Sequence, residues 1–233
     1  MAPSPRQFAP YALLATCVVG IFALRPGPAP LSPLADETVE ALPVPQPALP
    51  QIHAFPVTLS LCPTLAVANA PPADAGLHIL GYTASATLNG VTLARAPVET
   101  ACLSSGFGAR NGQVHTGLDL YNPDPVSIYA AADGTVREAA FRDDFGNMLV
   151  IAHENGVFTR YAHLASMPNL AAGDSVLSGE TIGVMGNTAA SLIPRHLHYE
   201  ILTGEWGEQA GSFALTPVDV LGLPGADRTE PGD

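Results

Sequence analysis

The 233-residue chain is expected to adopt an all-β fold, and three observations carry that expectation. Beyond residue 56 the sequence consists of short β-branched or apolar runs separated by Gly, Asn, Asp and Pro. No stretch there places apolar residues at a long helical period, and nothing repeats at the fixed spacing of a solenoid. Turn pairs fall between the runs at Asn89-Gly90, Asp133-Gly134 and Asn155-Gly156, residue types that accept the left-handed backbone of a tight turn.

Taken in order, residues 1–25 hold Arg6, an apolar run from Phe8 to Leu24, and Arg25. The run is long for the apolar part of a signal peptide and short of the ~20 residues of a spanning helix. Either a cleaved signal peptide or an N-terminal membrane anchor follows from it, and both place the rest of the chain outside the cytoplasm. Cys17 follows Leu14-Ala15-Thr16, a faint lipoprotein box that the continuing apolar run argues against. Residues 26–56 carry nine prolines, which exclude a packed helix or central strand and describe a semi-extended linker. Residues 57–103 read as a small β module with a hairpin at Asn89-Gly90. Cys62 and Cys102 bracket that module, and in an exported chain one disulfide is the simplest reading, with free buried thiols as the alternative. Residues 104–221 hold two further strand pairs, around Asp133-Gly134 and Asn155-Gly156, and residues 222–233 are a tail.

The chemistry concentrates in the segment 104–221. His115 and Asp119 stand in HTGLD, and His196 and His198 in HLHYE. Residues two apart on a strand share a face, so His196 and His198 can look into one cleft, one as a ligand and the other beside a reacting group. A straight strand would separate His115 from Asp119 by roughly 13 Å, at about 3.3 Å per residue. The chain must bend between them for both to reach one ion, and Gly117 at the midpoint can take backbone angles closed to other residues. His115, Asp119 and one later histidine then make a two-His, one-carboxylate site with an open position, a composition of catalytic rather than structural zinc. His153 stands at a turn and reads as structural, while His53 and His78 have no partner at metal spacing.

In order, the motifs HTGLD, AAADGTV, FGNMLVIAHENG, TRYAHL, AAGDSVLSGETIGVMGNT and HLHYE resemble the catalytic domain of the lysostaphin/LytM-type zinc peptidases, bacterial enzymes that cut peptidoglycan peptides. The resemblance runs from about Ser104 to about Leu221. It implies a mostly antiparallel sheet with a zinc groove walled by loops, reached by His163 through the hairpin around Asn155-Gly156. It further implies zinc bound by His115, Asp119 and His198, with His163 and His196 beside the metal, one or both acting as base. Relatives that have lost the ligands act as activators of other wall enzymes, so a regulator of a cell-wall amidase is the alternative reading, and the intact set favours catalysis. A structural zinc module in an unrelated exported protein is the other alternative, against which stand the open ligand set and the scarcity of Cys.

The chain departs from the family before HLHYE, where ASLIPRHLHYE replaces a small Gly-rich turn such as that of STGPHLHFE. Ile193, Pro194 and Arg195 would then narrow the groove rim, and Arg195 would pair with a free carboxylate of a directly cross-linked wall peptide. Arg110 is open to two readings, a contact to a substrate carboxylate or a surface ion pair. Nine Lys plus Arg against 21 Asp plus Glu give a net charge of −12, which argues against nucleic acid as a partner and against polybasic lipid binding. The expected partner is peptidoglycan, alongside cell-wall regulators, in the periplasm and with inner-membrane anchoring where the N-terminal segment is retained.

Overall fold

The computed structural model describes residue 27 and residues 54–110, 112–189 and 194–226. The N-terminal apolar segment with Cys17, nearly all of the Pro-rich linker, His53, residues 190–193 and most of the tail lie outside the described residues. The chain divides into units Met1–Gln46 and Pro47–Asp233, and the architecture below is that of the second.

Alternating short strands and tight turns produce β1 (Ser85–Leu88), β2 (Val91–Ala94), β3 (Cys102–Ser105), β4 (Gly108–Arg110), β5 (Gln113–His115), β6 (Leu118–Tyr121) and β7 (Ser127–Tyr129). They continue as β8 (Gly134–Arg142), β9 (Gly146–Ala152), β10 (Val157–Leu164), β11 (Ser175–Val176), β12 (Thr181–Val184), β13 (His196–Thr203) and β14 (Thr216–Val218), with one 3-10 turn at Ser212–Ala214. The main sheet has the order β11-β8-β9-β10-β13-β6-β3, with β14 also on β13. Its strand pairs are all antiparallel. Smaller pairs are β1-β2, β4-β5 and β7-β12. The all-β, antiparallel expectation therefore holds, and among the described residues no helix is long and apolar enough to cross a membrane.

Two of the three turn pairs close hairpins. Asn89 and Gly90 have φ of 49° and 82° between the paired residues Leu88 and Val91. Asn155 and Gly156 have φ of 55° and 68°, with the Val157 amide donating to the Glu154 carbonyl. Both are the type I′ geometry whose twist suits antiparallel strands. Asp133-Gly134 behaves differently: β7 and β8 are consecutive but unpaired, β7 lying against β12 and β8 between β9 and β11. Asp133 instead caps a loop, its carboxylate accepting from the Ser178 amide.

Strand parity divides the core. Leu149, Ile151, Tyr161, Leu197, Tyr199 and Ile201 pack on one face of the sheet with Leu118 and Leu120. Met148, Val150, Phe158, Ala162 and Leu202 pack on the other with Leu215 and Phe145. Because β10 and β13 are central and covered on both faces, every residue of β10 is buried, including polar ones. Residues 57–103 contribute Leu59, Ile79, Leu93 and Val98 to the first of these clusters, and β3 forms the far edge of the same sheet.

Cys62 and Cys102 are bonded, with Cα atoms 4.9 Å apart and 40 residues between them in sequence. In the loop-entropy picture a closure of that length stabilises the fold by about 4 kcal/mol. Denatured, unreduced protein should therefore show neither thiol to a labelling reagent, and the Cys62→Ser, Cys102→Ser double variant should lose about that much stability in urea unfolding. An unchanged urea midpoint would contradict the assignment.

Candidate metal centre and active-site cleft

The cleft holds about 550 Å³ and is walled by loops and by the ends of β4, β5, β6, β10 and β13. His115 ends β5 in its small ribbon, whereas Asp119 lies in β6 of the main sheet, so the chain does bend between them. Gly117 is required there, for a reason other than backbone angle. Its φ is not in the left-handed region, but a Cβ would stand 2.4 Å from the Tyr199 carbonyl oxygen and 2.9 Å from Glu200 Cγ. The glycine lets the bend pass tight against β13.

His198 is placed directly across from Asp119 by the β6-β13 register, and both lie on the sheet face opposite the Leu197, Tyr199 core. The donor atoms converge: His115 Nε2 is 2.9 Å from Asp119 Oδ1, His198 Nδ1 is 3.0 Å from the same oxygen, and the two nitrogens are 3.1 Å apart. All three residues are buried. A tetrahedral ion bound at about 2.0–2.1 Å holds its ligand atoms roughly 3.3 Å apart, so this triangle needs little expansion to accept one. The remaining ring nitrogens are spoken for. His115 Nδ1 lies 2.7 Å from the Gly106 carbonyl, which can only accept, so that nitrogen carries a proton and Nε2 is the one that faces the centre. His198 Nε2 is 2.9 Å from Glu200 Oε1, which leaves Nδ1 for the centre. Burial works against a charged His198, but the Asp119 and Glu200 carboxylates outweigh it and raise its pKa to about 9. Burial likewise works against an Asp119 carboxylate, and the hydrogen bonds from His115 and His198 outweigh it, holding the carboxyl well below the usual range. The pocket is thus built to hold positive charge between these three side chains, and a divalent cation fits it.

His163 and His196 stand beside this triangle with ring centroids 4.7 Å apart. His163 Nδ1 lies 2.9 Å from the Thr188 carbonyl and His196 Nδ1 2.7 Å from the Pro194 carbonyl. Each ring therefore donates from Nδ1 and keeps Nε2 as an acceptor, and His196 Nε2 sits 3.5 Å from Asp119 Oδ1. Strict alternation along β10 would turn His163 away, since Ala162 is on the site's face. A bulge between Tyr161 and Leu164 re-aims it, and His163 takes a φ of 62°. A non-glycine residue held in that region is characteristic of functional sites. The bulge is fixed by the His163 amide donating to the Phe145 carbonyl. Burial lowers the pKa of His163 to about 4, helped by the neighbouring His196, and burial also lowers that of His196. Both rings are neutral at pH 7.

Arg110 makes an ion pair, but to the centre rather than to the surface: its Nη1 donates to Asp119 Oδ2 at 3.0 Å and to Ser105 Oγ at 2.9 Å. That contact turns Oδ1 toward the histidines. Arg195 is a correction. It was expected at the groove rim, yet its Nη1 donates to the Met185 carbonyl at 3.0 Å and it does not line the cleft. Arg195 lies in a bend just ahead of β13, and its guanidinium is held there by the Met185 carbonyl. His153 bonds the Asp133 carbonyl and Thr159, and His78 bonds Asp74, both away from the cleft. Glu200 and Arg160 were not singled out from sequence. HLHYE contained the signal for Glu200, because the period that pairs His196 with His198 extends to it.

An antiparallel sheet carrying a buried His, Asp, His donor set open to a cleft has the make-up of a catalytic metal site, as opposed to a closed structural one. Residues 113–210 match the description of Peptidase family M23. The chain is 38% identical across 110 residues to the DD-carboxypeptidase/endopeptidase Mpg of Neisseria meningitidis serogroup B, covering 45% of this chain and 25% of that protein. It is 36% identical across 115 residues to the peptidoglycan DD-endopeptidase ShyC of Vibrio cholerae, covering 46% of this chain and 26% of that one. The chain thus spans about a quarter of the length of these curated relatives. Among solved structures, a zinc-containing peptidase from Vibrio cholerae is similar at 27% identity and a TM-score of 0.47, over 58% of this chain and 44% of that one.

Proposed function

We propose that this chain is an exported zinc endopeptidase that hydrolyses peptide bonds in peptidoglycan cross-links, held in the periplasm free or through its N-terminal segment. The observation that carries the reading is the pairing of three converging, buried donors with two histidines beside them whose Nδ1 atoms are held by backbone carbonyls. The names of the relatives from Neisseria and Vibrio supply the substrate class.

In this reading His115, Asp119 and His198 would hold the zinc, through the atoms that converge at the centre. When bound there, zinc would supply Lewis acidity, lowering the pKa of water toward about 7 and polarising the scissile carbonyl. His163 and His196 then act through their Nε2 atoms, one or both accepting the proton of the attacking water. Once protonated, they stabilise the oxyanion or return the proton to the leaving amine. Thr188 and Pro194 keep the rings oriented by holding the Nδ1 protons. Asp119, paired on its outer oxygen by Arg110, stays ionised throughout.

The pH profile follows with a definite sign. Both bases must be neutral, and their pKa values lie below the ordinary 6.5. At saturating zinc, kcat/KM should be flat through pH 7 and fall only as acidification below about 6.5 protonates them. An acid limb centred above pH 7 would contradict this environment. The reading as a whole is tested by incubating the full chain with purified wall and identifying released muropeptides by mass spectrometry, with and without chelator. Chelator-sensitive scission within cross-links is the expected result. An intact wall together with stimulation of an added amidase would instead assign the chain as a regulator.

A further inference from the structure

Glu200 is fully buried, yet three side chains converge on its carboxylate. His198 Nε2 and Thr116 Oγ1 both donate to Oε1, the first at 2.9 Å, and Arg160 Nη1 donates to Oε2 at 2.6 Å. Arg160 is the direct cross-strand partner of Glu200 in the β10-β13 register. Its guanidinium lies 4.8 Å from the ring centre of Phe145 and 4.9 Å from that of Phe213, and Nη2 donates to the Ser212 carbonyl at 3.0 Å. Gly117 clears the space through which the bend passes Glu200 Cγ.

Burying an opposite pair is costly, and matched apolar residues often serve stability equally well, so the pair calls for another role. Two features locate that role. First, Glu200 lies two residues from His198 on one face of a strand, so its reach is set by the backbone. Second, the two imidazoles of the donor triangle are supported unequally: His115 leans on the neutral Gly106 carbonyl, His198 on a carboxylate with its own countercharge.

We propose that Glu200, fixed by Arg160 and Thr116, is a positioning residue that holds His198 with Nδ1 toward the metal and strengthens it as a donor, thereby setting metal affinity. The inference rests on the zinc reading above and deepens it. An outer carboxylate of this kind raises the basicity of the ligating ring, and its loss typically weakens metal binding 10- to 100-fold.

The test uses the full chain and zinc alone, with affinity measured by competition against a chromophoric chelator. Glu200→Gln keeps an acceptor for His198 but removes the charge. Because it leaves Arg160 without its partner, the double variant Glu200→Gln, Arg160→Met is measured beside it, which buries no orphan charge. Folding of each is checked by circular dichroism. Both variants are expected to bind zinc about 10- to 100-fold more weakly than the wild type. Thr116→Val, which removes one donor to Glu200, should weaken binding by less. Long-range proton-nitrogen NMR of the zinc-loaded wild type should show the His198 proton on Nε2. A purely structural role would shift the melting temperature and leave the affinity of the folded protein alone. Wild-type zinc affinity in the folded double variant, or an His198 proton on Nδ1, would overturn the inference while leaving the zinc reading standing. A wild-type chain that takes up no zinc would overturn both.

Discussion

Alanine in place of His115, Asp119 or His198 is expected to leave the dialysed chain without stoichiometric zinc and its wall hydrolysis at background. Each residue supplies one donor of a triangle whose edges are 2.9, 3.0 and 3.1 Å, and among the described residues no fourth side chain belongs to this converging set. Two protein ligands do not match the three that catalytic zinc sites use. Loss of the metal also returns the water to a pKa near 15.7, which removes the nucleophile at neutral pH. The fold should survive the Asp119 substitution, because the charge it strands is Arg110, whose side chain is 38% exposed and can be met by solvent. Metal content by elemental mass spectrometry, read beside circular dichroism, separates loss of zinc from loss of structure. A folded Asp119→Ala protein that retains one zinc per chain would sink the assignment.

The sequence carried the parts of this site that depend on short-range geometry. The Asn89-Gly90 and Asn155-Gly156 hairpins were legible because Asn and Gly tolerate the positive φ that a type I′ turn needs. The bend between His115 and Asp119 was legible because no straight strand lets both reach one ion. Its cause was not, since the requirement for glycine at 117 comes from Tyr199 and Glu200, more than 80 residues away in sequence. The same distinction governs the errors. Asp133-Gly134 has hairpin residues, yet the partners of β7 and β8 are chosen by long-range packing. Arg195 is placed at the rim by its proximity to His196, whereas the bend ahead of β13 and the Met185 carbonyl, a long-range partner, set its side chain. His163 is the reverse case, since parity alone would have turned it away from the site. The bulge that rescues it depends on Phe145 and on Thr188, whose carbonyl oxygen would stand 1.7 Å from any Cβ at Gly146. No local pattern in TRYAHL announces that arrangement.

His163→Ala and His196→Ala should each retain zinc and lose hydrolysis by about 100-fold or more, the scale of a general acid-base group. The separation of binding from chemistry rests on their hydrogen bonds. Neither ring belongs to the converging donor set, and the Nδ1 proton of each is held by a backbone carbonyl, so neither removal takes a donor from His115, Asp119 and His198. The cavity left by His163 borders the cleft and can fill with water, which limits the structural cost. The two losses should not multiply. The ring centroids lie 4.7 Å apart beside the same donor set, so the double variant should fall little below the poorer single one, as for groups that act as a unit. Rates on isolated cross-linked muropeptides, with zinc content confirmed for every protein, provide the measurement. Full activity in either zinc-loaded single variant would remove that histidine from the mechanism. Loss of zinc from His196→Ala with retention in His198→Ala would exchange the roles of the two histidines in HLHYE.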